Sequence, residues 1–378
     1  MRSIFGIFLN VLATLVAIVA GMAGTHKEAP LPGMPPVLNP NDIYSGDHAG
    51  KLSPVVKNFP SRIYVPNSGS GTVDVIDPAT YKIVGHFETG KQPQHVVPSW
   101  DLKTLWVLND LGNSLTRIDP ATAQKGETIP VQDPYNMYYT PNGQYAIVVA
   151  EAQRRLDFYN PQSMQRESFI KVPCRGVDHM DFSASGRYAI VSCEFSGEML
   201  KVDVQEKKLL GVVTLRPGAK GNNLPKPQDV KTSPDGKVMY VADMITGGVW
   251  LIEPEELKVL GFLPTGKGAH GLYASRDSKL LYCSNRGEGS VSVIDFATRQ
   301  VIKKWQFAPV GGASPDMGGV SADGKVLWLS GRYHHDVYAI DTNDGHLLAR
   351  IKVGKGPHGL CVYPQPGRYS LGHTGVFR

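Results

Sequence analysis

Cysteine is scarce in this chain. Only four occur in 378 residues (Cys174, Cys193, Cys283 and Cys361), too few to staple a protein of this size, so the fold rests on a hydrophobic core and not on a disulfide scaffold. No CxxC or CxxCH occurs, which speaks against a redox dithiol and a covalently attached c-type haem. Charge of one sign is never concentrated. There are 39 Lys and Arg against 34 Asp and Glu, a net +5 with no block of five or more basic residues, so a nucleic-acid partner is not expected. Ser/His/Asp signatures, Gly-rich phosphate loops and HExxH are also missing. Helical periodicity is absent beyond the first twenty or so residues, which disfavours helix bundles and α/β folds.

The single long apolar run lies at the start. Met1-Arg2 supplies a positive charge, Ile4 to Ala20 are almost wholly apolar, and small residues follow at Ala20, Gly21, Ala23 and Gly24. That is the three-part pattern of a secretory signal peptide, assigned to residues 1–23, with cleavage after Ala20 or Ala23. The alternative is an uncleaved anchor, for which the run is near the lower length limit. No Cys lies near the cleavage site, which argues against a lipid anchor. The expectation is a periplasmic or secreted protein without stable membrane insertion after cleavage. Residues 24–60 form a Pro-rich leader (Pro30-Leu31-Pro32-Gly33-Met34-Pro35-Pro36), expected to be extended rather than a domain.

Residues 61–378 repeat. A tight turn followed by an apolar run reads Pro141-Asn142-Gly143, Ala184-Ser185-Gly186, Pro234-Asp235-Gly236 and Ala322-Asp323-Gly324. Asn-Gly and Asp-Gly mark hairpins because the turn needs positive φ. A second marker reads Val75-Ile76-Asp77-Pro78-Ala79-Thr80, Ile118-Asp119-Pro120-Ala121-Thr122 and Val293-Ile294-Asp295-Phe296-Ala297-Thr298. Each unit holds four short runs rich in β-branched and aromatic residues. Four strands per unit and a period of about 40–50 residues predict an all-β, seven-bladed β-propeller of four-stranded antiparallel blades. The C-terminal run His358–Pro364 matches an innermost strand, and the first repeat begins at a second strand at Arg62. Closure of the ring by the C-terminal strand is therefore expected, since it removes the sheet edges.

The segments Arg62-Ile63-Tyr64-Val65-Pro66-Asn67, Leu281-Tyr282-Cys283-Ser284-Asn285 and Gly354-Lys355-Gly356-Pro357-His358-Gly359 resemble the YVTN β-propeller repeat over about residues 61–365. More distantly the chain is similar to lactonase-type propellers and the haem d1 propeller of nitrite reductases. The resemblance implies the fold and implies little about chemistry.

Loops entering the innermost strands share a face, the top, with those joining second to third strands. Binding residues on a rigid scaffold concentrate in such loops. The residues opening the seven inner strands are read as His95, Asn136, His179, Asp229, His270, Gly318 and His358. Ring closure would gather them at the channel mouth as a ligand site, with Arg175, Asp178, Asp316 and Arg332 as further candidates. Glu194, Asp243, Arg286, His334, His335 and His373 are also assigned to this face. Converging imidazoles can hold a transition metal or contact an anion, and the metal candidates are His95, His179, His270 and His358. A His at this position also belongs to the repeat itself, where it can simply hydrogen-bond a loop. Three functions follow: a binding protein for a small ligand or protein partner, a metal-dependent (oxidase-like) or lactonase-type enzyme using the His/Asp ring, and a scaffold with an empty channel. Cys174 and Cys193 are the one pair placed to form a disulfide. Cys283 and Cys361 sit inside apolar strands and read as buried thiols.

Overall fold

The computed structural model describes residues 29–373 and 376–378; the signal-peptide assignment lies outside them. Seven four-stranded antiparallel sheets form the ring. The innermost strands are Pro93–Pro98, Asn136–Tyr139, Val177–Phe182, Pro227–Thr232, Ala269–Ala274, Pro315–Val320 and Cys361–Tyr363. The last of these completes the blade containing Arg62–Asn67, with Tyr64 opposite Cys361 and Ile63 opposite Val362. We number that blade 1 and the others in chain order, so Pro93–Pro98 opens blade 2.

Local chemistry explains the repeating turns. In blade 5 Ser233 Oγ donates to Asp235 Oδ1 at 2.6 Å, which also accepts the Lys237 N–H at 3.1 Å. Gly236 then takes a φ of 72° that a side chain would resist. The same lock recurs at Ser275 with Asp277 and at Ser321 with Asp323. On the outer turns Asp77 accepts from Ala79 N–H and Thr80 Oγ1, and Asp119 likewise from Ala121 and Thr122, closing an Asx turn. Second strands such as Arg62–Asn67 are buried between blades, whereas outer strands such as Lys208–Thr214 alternate exposed and half-buried residues. Burial of both faces inside and one face outside is what a ring of stacked sheets demands.

The bottom of the channel is plugged. The leader is not loose: Leu31 N–H donates to Ser185 O, Ile43 N–H to Pro234 O, and Tyr44 Oη to Thr232 O at 2.6 Å. These acceptors lie on or next to the bottom hairpins. The tail beyond residue 363 turns back up along the inner strand of blade 3. Leu371 O accepts the Tyr139 N–H at 2.9 Å, and His373 N–H donates to Met137 O at 3.0 Å. Arg378 pins the tail by an ion pair to Asp181 at 3.1 Å, with its guanidinium 4.7 Å from the Tyr44 ring centroid. Cys174 and Cys193 are joined by a disulfide, and Cys283 and Cys361 are buried free thiols.

Candidate functional site

The strand registers sort the axial residues into two tiers. Five of the seven inner strands open with an irregularity against their neighbour, for example between Val177 and Met180 or between Ala269 and Leu272. Aligning all seven blades on their second strands puts Gln94, Tyr135, Asp178, Gln228, His270, Asp316 and His358 in the upper tier. His95, Asn136, His179, Asp229, Gly271, Met317 and Gly359 form the lower one. This corrects the single ring read from sequence: His270 and His358 sit one residue above His95 and His179, and Gly318 lies below both tiers. Each lower-tier residue of blades 2 to 7 lies four positions before the Ser or Thr that opens its bottom hairpin (Ser99, Thr140, Ser183, Ser233, Ser275 and Ser321), and His270 and Gly318 depart from that spacing by one.

Five imidazoles nevertheless meet on the axis. Ring centroids are 4.8 Å apart for His179 and His373, 4.9 Å for His95 and His358, 5.3 Å for His95 and His373, and 5.6 Å for His95 and His179. His270 completes the cluster, 5.8 Å from His358 and 6.3 Å from His179. His373 belongs to the tail and enters from below, not from the top-face loops to which the sequence assigned it. Room for His95 comes from Gly359, since a Cβ there would stand 2.0 Å from His95 Nδ1.

The donor set suits a metal. His179, Asp229 and His373, all buried, each bring one ligand atom within 4.8 Å of the others. Among the described residues neither ring nitrogen of fully buried His95 has a hydrogen-bond partner, an expensive arrangement for a polar group. Burial and neighbouring imidazoles push the His95 ring well below its ordinary range, and burial and His373 hold His179 near 3. Such rings stay neutral, which ligation needs. Burial alone would raise the Asp229 carboxyl, but His373, Lys231 and His179 outweigh it and hold it at about 2. Asp229 also braces the ring, accepting Leu272 N–H from blade 6 at 2.9 Å.

Asp316 orients His358 and lies beside His270, whose Nδ1 makes no hydrogen bond among the described residues. Its Oδ2 lies 2.7 Å from His358 Nδ1 and its Oδ1 3.2 Å from His270 Nδ1. Arg286 Nε donates to the same carboxylate at 2.9 Å. A carboxylate on Nδ1 is the usual way to aim Nε2 at a ligand. Asp178 lies 3.1 Å from His179 Nε2, and burial, Glu194 and Glu151 push its carboxyl well up.

The other candidates separate. Arg332 reaches the mouth, donating to Ser68 Oγ at 3.3 Å and Gln94 Oε1 at 3.4 Å. Arg175 is exposed on blade 4, bonded to Phe195 O, and stands off the axis. Asp243 is consumed by its own loop, accepting from Lys226, Ile245, Thr246 and Trp250. His334 bonds Ser314 and Gly311, and His335 accepts from Gly356 N–H. Gln94, Tyr135 and Gln228 were missed because only charged neighbours of the strand-opening residues were added as candidates.

Fold and site together define a seven-bladed propeller whose channel is plugged below and lined by buried imidazoles. A family model of YNCE-like beta-propellers matches residues 48–367, and the chain belongs to that family. No curated protein matches it by sequence. Among solved structures it is similar to Kuenenia stuttgartiensis hydrazine synthase at 19% identity and TM-score 0.64, covering 77% of this chain and 98% of that one. It is similar to the dihydro-heme d1 dehydrogenase NirN in complex with DHE at 13% identity and TM-score 0.59, covering 87% and 82%. Apo AztD from Citrobacter koseri matches at 11% identity and TM-score 0.58, covering 79% and 96%. At these identities the likeness is one of fold.

Proposed function

We propose that this propeller is an exported binding protein that holds a borderline transition-metal ion, such as zinc, on its channel axis. The observation that carries the reading is the triad of His179, Asp229 and His373 with mutually close donor atoms, beside the unpartnered His95 ring. Imidazole and carboxylate donors favour zinc, copper or nickel over magnesium or calcium. His373 ties the ion to the tail and His179 and Asp229 tie it to blades 4 and 5, so a bound ion would crosslink the plug to the ring. The apolar N-terminal run and the Cys174–Cys193 disulfide support an oxidising compartment outside the cytoplasm. Among the described residues no helix is long and apolar enough to cross a membrane.

The test is metal content of protein purified from its native compartment, followed by zinc titration of the stripped protein. One equivalent of metal is expected in the wild type. Both His179→Ala and His373→Ala should lose it while keeping the strand-rich circular dichroism spectrum. Wild-type protein that neither carries nor takes up metal would return these imidazoles to a packing role.

A further inference from the structure

We propose that the top-face groove between blades 7, 1 and 2 binds a small polyanion, a molecule carrying two or more carboxylate or phosphate groups. This goes beyond the axial metal site and does not depend on it. The groove has a volume of about 820 Å³, within the usual range for small-molecule sites. Lys91, Arg332, His335 and Lys355 line it, and no lining residue carries a carboxylate.

Nearby cations on the same face have acidic partners: Lys352 pairs with Asp336 at 2.7 Å, Lys304 with Glu288 at 3.0 Å, and Arg286 with Asp316. Lys91, Arg332 and Lys355 have no ion-pair partner among the described residues. Arg332 is half-buried, and its Nη1 contacts only the neutral oxygens of Ser68 and Gln94. That leaves it without a direct ion pair and with an open edge of the guanidinium fork, the geometry that takes an oxyanion. Two further donors are set by their own bonds. His335 Nδ1 accepts the Gly356 N–H at 3.0 Å, so its proton stays on Nε2. Ser70 Oγ accepts the Lys355 N–H at 2.7 Å, which leaves its hydroxyl proton free to donate.

The floor, residues 68–71, carries nothing larger than serine, so the cations rim an open trough. They come from three separate loops around one groove. A ligand with several anionic groups can satisfy them together.

The experiment titrates metal-stripped full-length mature protein with citrate and, separately, with inorganic pyrophosphate by calorimetry at low ionic strength. Saturable one-to-one binding of at least one probe is expected, weakening as salt is added; the tighter probe distinguishes carboxylate from phosphate. Arg332→Gln and the exposed pair Lys91→Glu with Lys355→Glu should each weaken binding by about tenfold or more. Lys103→Glu with Lys325→Glu on the bottom face changes net charge equally and should have little effect. Wild-type protein that binds neither probe overturns the proposal. So does a lysine-pair variant that melts normally and still binds like wild type, or a bottom-face control that loses as much affinity.

Discussion

At the scale of single residues, Asn136 governs which nitrogens the axial cluster presents. Its Nδ2 lies 3.0 Å from Nδ1 of both His179 and His373, and its Oδ1 accepts the Met137 N–H at 2.8 Å. An amide nitrogen facing both rings makes each Nδ1 an acceptor and puts each proton on Nε2. Those Nε2 atoms face Asp178 at 3.1 Å and Asp229 at 3.4 Å. Metal binding through Nε2 needs the opposite tautomer, with an oxygen on Nδ1. Asn136→Asp supplies oxygens to both rings and to Met137 N–H together. We expect it to tighten zinc by about tenfold in chelator competition. An Asp variant that binds no better than wild type would show that Nε2 is not the ligating atom. Gly359 is the second control point. Gly359→Ala drives a Cβ into the His95 ring, and a loss of about 1–3 kcal/mol in denaturant unfolding is expected, as for other overpacked cores.

Elements differ in how legible they were. The Ser-x-Asp-Gly hairpins and Asp-Pro-Ala-Thr turns are built from contacts two to five residues apart, so their chemistry stands in the sequence. So does the run of blades they punctuate. The axial level of blades 2 to 7 stands there too, four positions before each hairpin Ser or Thr, whereas that of the closing strand Cys361–Tyr363 depends on its pairing with Arg62–Asn67 of the first repeat. The tail was least legible. His373 reaches the axis by bonding Met137, a partner 236 positions away that no local pattern signals. Truncation separates its two roles. Ending the chain after Leu360 removes the strand Cys361–Tyr363 and reopens blade 1, so a large fall in Tm is expected. Ending it after Gln365 keeps that strand and removes His373 and Arg378, so the fall should be smaller and metal uptake should still be lost. Equal melting of the two truncations would mean that the closing strand contributes little.

Over the whole molecule, buried and partly buried carboxylates gather on one side of the top face. Lys91, Arg286, Arg332 and Lys355 stand on the side of blades 6, 7 and 1, while Asp110, Glu151, Asp178 and Glu194 crowd blades 2 to 4. The crowding shows in their protonation. Burial first, then Glu194, Asp110 and Asp133, raise the Glu151 carboxyl to about 8, and burial with Asp133 raises Asp110 to about 6. In the unfolded chain a glutamate ionises near 4.3. Between that value and about 8 the folded protein therefore holds a proton on Glu151 that the unfolded chain has released. Stability must fall as pH rises through this window, and the contribution is flat above it. Glu151→Gln removes both the titration and a like charge beside Glu194 and Asp178. The expected outcome is a wild-type Tm that declines from pH 5 to pH 8 and a variant Tm that declines less, so that the variant melts higher at pH 8. Thermal melts across that range decide it. Parallel curves would mean that water at the mouth screens these carboxylates from one another. A steeper decline in the variant would mean that the carboxylate has a stabilising partner on the opposite side of the mouth.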